Sequence, residues 1–182
     1  MRHNRRSIRL HGYDYSRAGV YFVTICAWNR ECLFGDAMDG RTILNDFGQK
    51  VAESWEWLAI RHGYAELDEW VIMPNRLHGI IVITDVFKGG SRTAPTKNRK
   101  PIGRLVGAFK TVSTKRINHL RDTPGVRIWQ RNYYEHIIRD DEELNRIREY
   151  IANNPAQWET DRENPNVVVG AAFKKEFIGS SY

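Results

Sequence analysis

The run Val20-Tyr21-Phe22-Val23-Thr24-Ile25-Cys26-Ala27-Trp28 most constrains the fold of this chain. Rich in β-branched and aromatic residues, it reads as a central strand, and the rest of the chain has to build a sheet around it. Residues 29–40 form a polar connection. From Leu44 onward, Phe47, Val51, Trp55 and Leu58 fall at steps of three and four, the spacing of an amphipathic helix. Asn45 or Thr42 is placed to cap it, and Gly63 closes it.

Residues 64–73 alternate and then turn apolar, Pro74-Asn75 signals a turn, and residues 77–83 form another strand. The two are expected to pair as an antiparallel hairpin. Residues 85–100 contain Gly-Gly, Pro and five Lys or Arg, and read as a mobile basic loop. Pro101 opens a second helix carrying Ile102, Leu105, Phe109 and Val112. Gly103 and Gly107, one turn apart, would admit a close-packed neighbouring backbone. Residues 126–129 and 133–139 read as extended. Asp140 and Glu143 match a capping pattern at the head of a last helix with the stripe Leu144, Ile147 and Ile151, and Pro155 stops it.

The resulting order, β-α-β-β-α-β followed by a helix, predicts an α+β, ferredoxin-like (split βαβ) antiparallel sheet with helices on one face and a further C-terminal helix. A chain of 182 residues has room for one such domain. The expected organisation is a basic arm over 1–18, a domain over 19–160 that includes the loop, and a tail over 161–182.

Charge narrows the partner. Lys and Arg number 28 against 22 Asp and Glu, a formal net charge of +6, which favours a polyanion such as nucleic acid. Mean hydropathy is −0.57, and no apolar run reaches the roughly 20 residues that span a bilayer. The N-terminus is basic with no apolar stretch behind it, unlike a secretory signal. Cys26 and Cys32 have neither disulfide-scaffold nor zinc spacing. These features lead to an expected cytoplasmic, reduced protein.

Three groups of residues could carry chemistry. On a strand, Arg76 and His78 project to one face with Leu77 on the other. His78 fits two roles, a hydrogen-bonded structural histidine or a metal ligand. Tyr150 and Asn154 lie four apart on the last helix, about 40° apart around it, flanking its apolar stripe. Tyr150 suits either packing at the core edge or nucleophilic attack, given a group that eases its ionisation. The stretch from Trp129 to His136 mixes aromatic rings, Arg131 and amides, a combination suited to single-stranded nucleic acid. Alternation could equally bury Tyr134 and His136 in a sheet. In the arm, Arg5, Arg6, Arg9, Tyr13 and Tyr15 are either a solvated tail or a phosphate-tracking segment with rings for stacking.

The chain resembles the REP-associated tyrosine transposases, a branch of the single-tyrosine HUH transposases of the insertion-sequence type. The resemblance rests on Arg9-Leu10-x-Gly12-Tyr13-Asp14-Tyr15, residues 21–26, Met73-Pro74-Asn75 with His78-Gly79-Ile80-Ile81, Phe109-Lys110, residues 129–139, and Tyr150-Ile151 with Asn154-Pro155. It spans residues 5–160, in order. It implies a metal-dependent endonuclease and strand-transferase acting on single-stranded DNA that carries hairpins. Two histidines flanking a hydrophobic residue bind Mg²⁺ or Mn²⁺, and a tyrosine forms a 5′-phosphotyrosine that is later rejoined. By position Tyr150 matches the nucleophile, Asn154 the polar residue assisting the metal, and His78 the second histidine. The expected DNA grip comprises the arm residues, Lys97, Arg99 and Lys100 of the loop, Lys110, Arg131, Tyr133 and His136. Related insertion-sequence enzymes are dimers and the REP branch is monomeric, so both states remain open.

One position departs from the family. Its first histidine falls on Arg76, a guanidinium with five donors and no acceptor. At roughly 4–6 Å and an effective dielectric near 20, it would repel a neighbouring cation by about 3–4 kcal/mol before screening. Metal binding and cleavage are therefore expected to be weakened. Arg76 is read as an inactivating replacement, natural or engineered, that keeps DNA binding; as a direct contact to the scissile phosphate; or as a change that leaves Asn75, Asn154 and His78 holding a metal weakly. The rival functions are a hairpin-binding module without chemistry and a structural, RRM-like protein that binds another protein.

Overall fold

A computed structural model describes residues 17–84 and 101–167. The basic arm with Arg5, Arg6, Arg9, Tyr13 and Tyr15, the loop with Lys97, Arg99 and Lys100, and residues 168–182 lie outside the described residues.

The main sheet contains β1 (Gly19–Cys26), β4 (Ala65–Met73), β5 (Arg76–Ile83) and β6 (Tyr134–Ile138). Its order is β4-β5-β1-β6, with every neighbouring pair antiparallel. Helices α1 (Asp46–Arg61), α2 (Ile102–Leu120) and α3 (Asp141–Asn153) complete the β-α-β-β-α-β-α arrangement. This is the ferredoxin-like order expected from the sequence.

Strand alternation divides the apolar residues into two cores. From β1, Tyr21, Val23 and Ile25 enter the larger one, with Val51, Trp55 and Leu58 of α1 and Leu105, Val106 and Phe109 of α2. Phe22 points to the other face, where Ile80, Ile138 and Ile151 form a smaller core with Leu144 and Ile147 of α3. Helix α3 therefore covers the face opposite α1 and α2. Because Thr24 pairs with His78 and Cys26 with Arg76, the face that carries His78 and Arg76 is the one α3 crosses.

Local chemistry sets the helix ends. Asn45 caps α1, its side chain accepting from the Gly48 amide at 3.0 Å. Asp140 caps α3 by accepting from the Glu143 amide at 2.8 Å, while Glu143 accepts in return from the Arg139 amide at 2.9 Å. Asp141, Glu142 and Glu143 in the first turn suit the positive end of the helix dipole. Helix α3 ends at Asn153, and Pro155 begins a 3-10 turn to Thr160.

Two local expectations change. The polar connection over 29–40 holds a turn at Trp28–Arg30 and the first strand of a hairpin, β2 (Gly35–Met38) and β3 (Arg41–Leu44). Four-residue strands with Met38 and Ile43 exposed carry too little alternation to be visible in sequence. Gly107 faces open space rather than a packed backbone. Glycines that do permit close approach include Gly48, where a Cβ would clash with the Phe34 carbonyl oxygen, and Gly79, where it would lie 2.5 Å from the Trp55 ring.

Candidate functional site

The site forms where the start of β5, the middle of β1 and the C-terminal end of α3 meet. His78 is buried, and its Nδ1 lies 2.8 Å from Thr24 Oγ1 across the β1–β5 pair. Its Nε2 accepts from Arg76 Nε at 2.7 Å. Since a guanidinium only donates, Nε2 is unprotonated, and the ring proton sits on Nδ1 facing Thr24. Burial, and then the Arg76 charge, push the His78 pKa down to about 3. His78 is therefore a neutral acceptor at physiological pH.

Arg76 is only 4% exposed. Besides His78, it donates to Asn75 Oδ1 at 3.2 Å, to Asn154 Oδ1 at 2.7 Å and to the Asp161 carboxylate. The Trp158 ring lies 5.5 Å from the guanidinium carbon. Asn75 anchors the arrangement by donating to the Glu163 carbonyl at 2.7 Å. Residues 161–163, just past the 3-10 turn, thus close over the Arg76 side of the site.

Tyr150 stands on the open side, 46% exposed. Its ring meets His78 edge-on at 5.5 Å and Phe22 edge-on at 6.0 Å. Phe22 stacks on His78 at 5.9 Å. The pairing expected from the sequence is present: Arg76 and His78 share a face, and Tyr150 and Asn154 reach them from α3.

A cleft of about 550 Å³ opens beside these residues, with Tyr133, Tyr134, Gln130 and Asn132 along its wall. Arg30 lines it too and pairs with Glu163. Such a wall of rings, amides and arginines can stack bases and hold phosphates. Lys110 sits behind it, donating to the carbonyls of Gln130, Arg131 and Asn132 at 2.9, 3.3 and 3.1 Å. Desolvation pulls its pKa down to about 8. Arg131 is exposed on the same segment. His136 lies across α3's first turn, 2.7 Å from Glu143 Oε1. A larger cavity of about 740 Å³ lies between α2 and residues 124–131, away from Tyr150.

The residues present do not fit a divalent ion as they are arranged. The Nε2 lone pair of His78 and the Asn154 amide oxygen, both expected ligands, are spent on Arg76. Among the described residues, no group of three or more His, Cys, Asp or Glu gathers to hold a metal. Asp161 is the participant that sequence reading missed, because it follows the recognisable motifs and carries none of its own. The available signal was electrostatic: a buried arginine requires a counter-charge, and Glu159, Asp161 and Glu163 are the first acidic residues that follow Pro155.

No family model matches the sequence. An uncharacterized protein of Haemophilus influenzae is 43% identical over 169 residues, covering 88% of this chain and 93% of its own length. Among solved structures, a REP-associated tyrosine transposase bound to a REP hairpin superposes with a TM-score of 0.55 at 19% identity, covering 82% of this chain and 74% of that one. A candidate transposase of Deinococcus radiodurans gives a TM-score of 0.49 at 17% identity, covering 81% and 97%. Among the described residues, no helix is long and apolar enough to cross a membrane. The chain belongs to one family with the Haemophilus influenzae protein, and its fold is that of the REP-associated tyrosine transposase, the group its sequence resembles.

Proposed function

We propose that this chain is a transposase-type protein that binds hairpin-bearing single-stranded DNA of the REP kind, with its cleavage chemistry impaired at Arg76. The observation that carries the reading is the meeting of Tyr150 with His78 at 5.5 Å, on a face where Arg76 holds both His78 and Asn154. Tyr150 is the candidate nucleophile: it is exposed to the cleft, and two aromatic neighbours hold its ring.

The residues here, as arranged, do not fit the Mg²⁺ or Mn²⁺ that would spread the charge developing on a scissile phosphate. The side chains here do other work. Arg76 fixes the neutral tautomer of His78 and turns Asn154 inward. Tyr133, Tyr134 and Gln130 offer stacking and hydrogen bonding along the cleft wall. The exposed Arg131 and the basic segments offer phosphate contacts.

A second reading, a hairpin-binding module without chemistry, is favoured by the extent to which Arg76 is already bonded. One experiment separates them: cleavage of hairpin-bearing single-stranded DNA with Mn²⁺ by the wild type and by Arg76→His. The transposase reading expects weak or no cleavage by the wild type and clear gain in the variant. Equal activity in the two would show that Arg76 is no obstacle. Hairpin binding with no cleavage in either would leave the binding module. Affinity independent of salt concentration would argue against a nucleic-acid partner altogether.

A further inference from the structure

We propose that the Arg76 guanidinium is the resident cation of this site and Asp161 its dedicated counter-ion. The site then holds its positive charge covalently and takes up a divalent ion only when that side chain is removed. This goes beyond the DNA reading, and its test needs no DNA, so the two can fail separately.

The acceptors around Arg76 are those a divalent cation would use: an imidazole lone pair, two amide oxygens and a carboxylate. They come from separate parts of the chain, residues 75–78, the end of α3 and the segment after the 3-10 turn, and converge on one side chain. Four of the five guanidinium N–H groups are engaged by them. His78, Asn75 and Asn154 are all at most 3% exposed. A guanidinium buried to this degree is strongly unfavourable without a compensating charge.

Asp161 is built to supply that charge. Its amide donates to the Trp158 carbonyl at 3.1 Å. Its Oδ1 accepts from the Glu163 amide at 2.8 Å, which leaves Oδ2 for Arg76. The carboxylate is oriented by backbone on one side and meets the guanidinium on the other. Its side chain is 17% exposed, against 4% for Arg76, so the anion closes the site from the solvent side.

Guanidinium and metal are thus mutually exclusive occupants of one seat. Truncating Arg76 leaves His78 Nε2, Asn154 Oδ1 and Asp161 facing the vacated volume, a nitrogen-and-oxygen set that suits Mn²⁺. The experiment is a Mn²⁺ titration followed by electron paramagnetic resonance, with thermal melts in Mn²⁺ and in EDTA. Wild type, Arg76→Ala and Arg76→Ala/Asp161→Ala are compared.

The wild type is expected to take up no Mn²⁺ at sub-millimolar concentration and to melt at the same temperature in both buffers. Arg76→Ala is expected to melt lower in EDTA and to gain roughly 5–10 °C in Mn²⁺ at about a hundredfold excess over its Kd. Removing Asp161 as well should weaken Mn²⁺ binding at least tenfold. Arg76→Gln, which keeps most of the length and drops the charge, serves if the alanine variant does not fold. Tight Mn²⁺ uptake by the wild type overturns the proposal. So does absence of any Mn²⁺ response in the Arg76 variants, or an affinity indifferent to Asp161.

Discussion

Arg76 Nε lies 2.7 Å from His78 Nε2, two residues along the same strand, and this single bond fixes the protonation of the site. The imidazole can accept only while Nε2 is bare, so a proton arriving there has to break the bond and face a fixed positive charge.

The consequence for stability has a definite sign. His78 has a pKa of about 3 in the folded chain, below its ordinary 6.5. Between these values the unfolded chain binds the proton and the folded chain does not, so stability rises with pH across this window. It is complete above pH 6.5 and falls as the solution is acidified, by at most about 1.4 kcal/mol per pH unit from this residue. Urea melts of the wild type and His78→Gln between pH 4 and 7 should show a shallower dependence in the variant. Parallel curves would mean that His78 titrates normally.

Tyr150 supplies the test of chemistry. In an Arg76→His background with Mn²⁺, a covalent protein–DNA adduct should form on hairpin-bearing single-stranded DNA. Adding Tyr150→Phe should abolish the adduct and leave hairpin affinity within a few-fold. An adduct that survives the phenylalanine would place the nucleophile elsewhere.

Lys110 ties α2 to the cleft wall. Its ammonium donates to three successive carbonyls, at 130, 131 and 132, and lies 5.4 Å from the Tyr133 ring centre. Lys110→Met should cost on the order of 2 kcal/mol in chemical denaturation and loosen Tyr133. A variant as stable as the parent, with weaker DNA binding, would instead assign Lys110 to phosphate contact.

Gly79 follows His78 and lies beneath Trp55. A methyl group there would sit 2.5 Å from Trp55 Cζ2. Gly79→Ala should destabilise by about 1–3 kcal/mol through overpacking, read as a lower urea midpoint. An unchanged midpoint would show that Trp55 moves aside freely.

Asp68 and Arg148 staple the tyrosine helix to β4, with Arg148 Nε and Nη2 at 2.7 and 2.6 Å from the two carboxylate oxygens. The Arg148 hydrogen bond leads the causes that hold the Asp68 carboxyl below its ordinary pKa. Asp68→Asn should quicken amide hydrogen exchange along α3 while leaving β1 and β5 protected. Unchanged α3 exchange would show that the apolar contacts of Leu144, Ile147 and Ile151 suffice.

Much of the fold was legible in sequence because period and punctuation agree with burial. Tyr21, Val23 and Ile25 alternate with Phe22 and Thr24 and separate onto two faces as a strand requires. Asn45 and Asp140 cap the helices they precede. The hairpin β2–β3 was not legible, since its short strands bury little. Gly103 and Gly107 showed helical spacing, yet at Gly107 no neighbour is there to pack against it.

For the site, the sequence by itself determined that Arg76 and His78 share a strand face and that Tyr150 and Asn154 share a helix flank. Those relations follow from the two- and 3.6-residue periods of the backbone. It also determined that an arginine stands where a neutral ligand was expected. Only the tertiary structure decided what that arginine does. Whether a buried guanidinium repels a cation or replaces one depends on which acceptors surround it, and Asp161, 85 residues away, is brought to it by the turn after α3. Strand and helix periodicity carry no information about a contact of that separation; it is set by burial and charge compensation.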